Sequence, residues 1–98
     1  MTITVNIIPN DKNLPAGKLA DAELRFAGGP MDGLKLCGFA IWQRRSGTGL
    51  NVTFPARTYS VNGEKRSYAL LRPTNGEISA QDSVRGLILK AWGKEAAR

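Results

Sequence analysis

Residues 57–68 read Arg57-Thr58-Tyr59-Ser60-Val61-Asn62-Gly63-Glu64-Lys65-Arg66-Ser67-Tyr68. The pair at their centre decides the fold. Asn-Gly supplies two residues that accept positive φ, as a type I′ turn demands, so the stretch predicts a β-hairpin with a two-residue loop. Register follows from loop length. Val61 then faces Glu64, Tyr59 faces Arg66 and Arg57 faces Tyr68, and these six side chains share one face of the ladder. Lys65 points to the other face.

Upstream, period-two patterns repeat. Ile3, Val5 and Ile7 alternate with Thr2, Thr4 and Asn6, which gives a strand with one buried face. Pro9–Gly17 (PNDKNLPAG) is turn chemistry. Ala20, Ala22, Leu24 and Phe26 alternate with Asp21, Glu23 and Arg25 in a second strand, closed by Gly28-Gly29-Pro30 and Met31-Asp32-Gly33. Leu34–Gln43 is a third strand whose apolar phase changes at Gly38, from Leu34 and Leu36 to Cys37, Phe39 and Ile41. A bulge at Gly38 would swap the faces, and burial on both faces would give the same pattern. Arg44–Gly49 (RRSGTG) reads as a flexible basic loop. Leu50, Val52 and Phe54 form a fourth strand, stopped by Pro55.

Downstream, Pro73-Thr74-Asn75-Gly76 ends the strands. Ser79 with Asp82 resembles a capping box. Val84, Leu87, Ile88, Ala91 and Trp92 recur at helical spacing, so residues 80–97 predict one amphipathic helix with Trp92 in the core. The expectation is an α+β fold in a single domain, residues 1–98. It has an antiparallel sheet of five to six hairpin-connected strands and one C-terminal helix.

The 98 residues carry 14 Lys and Arg against 8 Asp and Glu, a net charge of +6 with no His and one Cys, Cys37. Without His, neither a Ser-His-Asp nor a Cys-His catalytic site can form. One Cys and scattered carboxylates make a poor zinc site. The expectation is therefore no enzyme, no cofactor and no metal. An unpaired Cys, with no targeting segment and no long apolar run, points to the cytoplasm and away from membranes. The basic balance favours a polyanionic partner.

Asp21 and Glu23 form a carboxylate pair, but a solvated outer strand face predicts the same pattern. Gly47-Thr48-Gly49 after two Arg suggests backbone phosphate binding, although a plain hairpin loop reads the same way and no P-loop Lys follows. The hairpin is more informative. A face carrying Arg57, Tyr59, Arg66 and Tyr68 offers aromatic planes for bases and guanidinium groups for phosphates. The competing reading packs the Tyr rings beneath the terminal helix. Arg44 and Arg45 have no evident structural task. Lys90, Lys94 and Arg98 recur along one helix side away from the apolar stripe, where the macrodipole also favours them.

From Gly17 to Trp92 the order of elements resembles the SpoVG family (stage V sporulation protein G, the septation regulators). Leu36–Ile41 stands for that family's long strand, Gly49–Ala56 for its Pro-ended strand, Arg57 for the basic position after it, and Tyr68–Pro73 for the strand reaching a second Pro. Arg72 replaces the family's His, Ala56 its Ser, and the loop at Gly28–Gly33 is longer. The resemblance implies an α+β fold, a homodimer and sequence-preferring binding to DNA or RNA, with contacts from the hairpin and helix.

Together these readings predict a small regulatory nucleic-acid-binding protein. Its contacts would be Arg44, Arg45, Arg57, Tyr59, Lys65 and Arg66, extended by Lys90 and Lys94. The alternative is a protein-interaction module, such as an inhibitor of a larger nucleoprotein machine, whose basic face meets an acidic protein partner.

Overall fold

The computed structural model describes residues 1–12, 15–45, 47 and 49–96. Six antiparallel strands in two sheets precede one C-terminal helix, an α+β fold. Strands β1 (Thr2–Pro9), β2 (Lys18–Ala27), β3 (Lys35–Gln43) and β4 (Leu50–Thr53) form a meander in sequence order. Strands β5 (Ala56–Val61) and β6 (Glu64–Ala69) form a separate two-stranded sheet, and α1 spans Ser79–Ala96. Asn13 and Leu14 of the predicted turn, Ser46 and Thr48 of the predicted basic loop, Ala97 at the predicted helix end, and Arg98 lie outside the described residues.

The apolar parity of each strand builds one face of the larger sheet. Ala20, Ala22 and Leu24 of β2, Phe39 and Ile41 of β3, Val52 of β4 and Ile88 of α1 are fully buried together. Val5, Ile7, Leu36, Phe54, Val84, Leu89 and Trp92 pack around them, so Trp92 is core as its spacing predicts. Leu87 departs from the predicted stripe: it is 43% exposed, and Leu89 contributes instead. Phe54 meets Phe39 edge-to-face at 5.1 Å and carries the Arg85 guanidinium over its ring at 4.9 Å.

The phase change in β3 is a bulge. Ala22 pairs with Phe39 but Leu24 pairs with Leu36, so β3 holds one extra residue around Gly38, whose φ is +108°. The bulge brings Leu36 onto the face of Phe39 and Ile41 and leaves Cys37 exposed. The capping box does not form among the described residues. Ser79 Oγ donates to Glu77 Oε2 at 3.4 Å, and Asp82 instead accepts from Arg85 at 2.9 Å.

The hairpin stands off this body. Every β5 and β6 residue except Ala69 is exposed. The radius of gyration, 14.8 Å, exceeds the roughly 13 Å of a compact chain this long. Its base is tied by Leu70 N–H donating to the Pro55 carbonyl at 2.8 Å, and by Gln81 Nε2 donating to the Leu71 carbonyl at 3.0 Å.

Candidate nucleic-acid interface

Asn62 at φ +51° and Gly63 at φ +81° make the turn, and the ladder pairs Val61 with Glu64, Tyr59 with Arg66 and Arg57 with Tyr68. The two-residue loop therefore places Arg57, Tyr59, Arg66 and Tyr68 on one face, as the sequence predicts. Both Tyr rings are open, Tyr59 at 41% and Tyr68 at 37% exposure, so packing beneath the helix is overturned. The rings lie diagonally across the ladder, centroids 5.7 Å apart at 56°. Arg72, from the strand's exit, covers Tyr68 at 5.3 Å. Arg66 leans towards Glu64 at 3.4 Å, both exposed, an ion pair of little energetic weight. Lys65 lies on the opposite face, across from Ser60 and beside Thr58 and Ser67.

The other predicted contacts are elsewhere. Arg44 and Arg45 follow β3 at the Gln43–Leu50 end of the β3–β4 pair, whereas the hairpin leaves from the far end of β4. The four residues of β4 separate them, roughly 14 Å at 3.4 Å per residue. Arg44 also has a structural task that its sequence context did not reveal. Its Nε donates to the Leu50 carbonyl at 3.3 Å, and its main chain bonds Gly49 and Gly47 across the loop. Arg45 is exposed.

Lys90 and Lys94 occupy a third place. The helix starts near β4, where Arg85 covers Phe54, and ends against β1, the opposite edge of the sheet. There Lys90 and Lys94 line a groove with Ile3, Val5, Ile7 and Leu87. They do not extend the hairpin's basic face.

Glu23 corrects the solvated-face reading of the Asp21–Glu23 pair. It is 5% exposed. Its Oε1 accepts from Asn6 Nδ2 at 3.0 Å and from Arg25 Nε and a terminal nitrogen at 3.1 and 3.0 Å. Its Oε2 meets Lys35 Nζ at 3.2 Å and accepts from Cys37 Sγ at 3.6 Å. The Lys35 hydrogen bond lowers its pKa to about 2, helped by Asn6 and Arg25 and opposed by burial. Asp21 is separately paired with Lys18 at 2.6 Å. The two carboxylates therefore serve as charge partners within the sheet.

The sequence reading missed Trp42. It shares the parity of Ala40 and Arg44, opposite to core residues Phe39 and Ile41, so alternation alone could have placed it on the helix-free face. Among the described residues, no three Cys, Asp or Glu side chains gather as a metal site would need, and no helix is long and apolar enough to cross a membrane.

Comparison of the chain with family models, with curated proteins and with solved structures returns no match.

Proposed function

We propose that the protein binds nucleic acid through the exposed face of the β5–β6 hairpin and acts as a non-enzymatic regulator, in the manner implied by its SpoVG-like order of elements. One observation supports this most. Two Tyr and two Arg form a face that the protein's own core leaves uncovered. Packing does not explain that composition, because no residue of β5 or β6 belongs to the core cluster or packs against it. Aromatic planes on which bases stack and guanidinium groups that donate to phosphates explain it. The net charge of +6 adds long-range attraction to a polyanion. A cytoplasmic location accords with that partner.

A two-stranded hairpin is marginal by itself in water. Tyr59, Val61, Tyr68 and Leu70 leave apolar surface exposed along and just beyond it. The reading therefore includes a homodimer in which a second copy steadies the hairpin arms.

The test is direct binding of labelled single-stranded DNA, duplex DNA and RNA at two salt concentrations. Affinity that falls steeply with salt supports the reading. No affinity for any of the three at about 50 mM salt would overturn it and favour an acidic protein partner.

A further inference from the structure

Trp42 stands on the sheet face that α1 does not cover. Its indole Nε1–H donates to Thr53 Oγ1 at 2.9 Å. The ring's one polar atom is thereby satisfied inside the protein, and the ring is held in place. In register, Trp42 lies directly across from Asn51. Around it opens a concavity of about 600 Å³ lined by Ala16, Gln43, Arg44, Arg45, Asn51 and Thr53. That volume falls within the roughly 300–1,000 Å³ of small-ligand sites.

The lining is chemically one-sided. It holds two guanidinium groups, two amides, one hydroxyl, one indole and no carboxylate. Gln43 is occupied, donating to the Gly47 and Gly49 carbonyls at 3.1 and 3.3 Å. Arg44 is steadied through its Nε at the Leu50 carbonyl, its one side-chain hydrogen bond among the described residues, and its guanidinium lines the concavity. Asn51 offers one amide donor set and one acceptor, the complement of a base edge. An indole plane fixed beside two cations fits a flat, polarizable ring joined to an anion.

We propose that this concavity seats one unpaired base of a single-stranded nucleic acid. The base stacks on Trp42, its edge reaches Asn51, and the adjoining phosphates meet Arg44 and Arg45. A base in a duplex has both faces covered by its neighbours, so only an unpaired base can lie on the ring. This inference rests on the nucleic-acid reading and deepens it by naming the strandedness. It also uses the two arginines that the hairpin does not gather.

The experiment titrates wild type with an eight-nucleotide thymidine strand and with a duplex of equal length. Anisotropy of the labelled oligonucleotide reports binding, and intrinsic tryptophan fluorescence reports stacking. Trp92, packed in the core, remains as an internal reference. Binding of the single strand should quench fluorescence in wild type, and the quenching should disappear in Trp42→Phe. Trp42→Ala should weaken single-strand binding roughly 5- to 150-fold, the usual worth of one stacked base. It should leave duplex affinity unchanged. Thr53→Val keeps the β-branched shape while removing the indole's acceptor, and should weaken the single strand in the same selective way. Single-strand binding without quenching, or with unchanged affinity in Trp42→Ala, would overturn this site while leaving the hairpin reading in place. Absence of binding to both oligonucleotides would overturn both.

Discussion

Glu23 gathers Asn6 from β1, Arg25 from its own strand, and Lys35 and Cys37 from β3. Its charged form is preferred in the fold, since the pKa falls from an ordinary 4.5 to about 2. The sign follows: a carboxylate lowered on folding stabilises fully above its unfolded value, and that contribution is lost as pH falls from about 4.5 towards 2. Thermal melting of Glu23→Gln should therefore show a flatter decline than wild type across that window, and parallel curves would remove Glu23 from the acid response. Gly38 is a second site where one atom decides. At φ +108° only Gly is unstrained, and an added Cβ would sit 2.8 Å from Pro55 Cβ. Gly38→Ala should cost about 2 kcal/mol or more, a drop on the order of 10 °C in Tm. The two residues differ in legibility. Gly38 announces itself by the phase change around it. Glu23 does not, because alternation marks a polar face without saying whether neighbouring long side chains close over it.

The β5–β6 hairpin is the element whose local chemistry was most complete in the sequence. Turn, register and shared face all follow from Asn62-Gly63, since a turn confined to two positive-φ residues allows one pairing. Its isolation was not legible, because exposure depends on where the rest of the chain packs. Isolation changes what a turn mutation should do. Gly63→Val places a β-branched residue at φ +81°, and opening of the arm should become easier by on the order of 1 kcal/mol or more. The core residues of β2, β3, β4 and α1 do not touch the turn, so Tm should barely move. Amide exchange should accelerate about fivefold or more in residues 57–68 alone, and a matching acceleration in β2 and β3 would show that the arm is coupled to the core. Tyr59→Ala likewise should leave Tm near wild type, because its ring packs on Tyr68 and not in the core. The terminal helix shows the opposite case: its span was evident from spacing, but Leu87 and Leu89 were exchanged. A stripe two residues wide cannot be placed around the cylinder without knowing the angle at which the helix crosses the sheet.

At the scale of the whole molecule, clustering in sequence did not become clustering in space. The basic residues separate into the hairpin, the end of the β3–β4 pair, and the groove of α1 against β1. Antiparallel connection explains this, because residues on either side of a strand end up at its two ends. If a second copy covers the arms, light scattering at micromolar concentration should give twice the 10.6 kDa chain mass, and a value near 10.6 kDa would oppose the dimer. The separation of charge makes a sharper demand on binding. Each phosphate contact contributes about 0.7 to 0.9 to the slope of log K against log salt. Replacing Arg57 and Arg66 together by Ala should therefore lower that slope by about 1.4 to 1.8. Replacing Lys90 and Lys94 removes the same formal charge from the β1 edge, away from the arm. If net charge alone drew the ligand, the two double variants would behave alike. If the hairpin face makes the contacts, the lysine variant should keep the wild-type slope and lose only a little affinity through weaker long-range attraction. Equal slopes in the two variants would place the ligand across the whole basic surface and take the hairpin out of its special role.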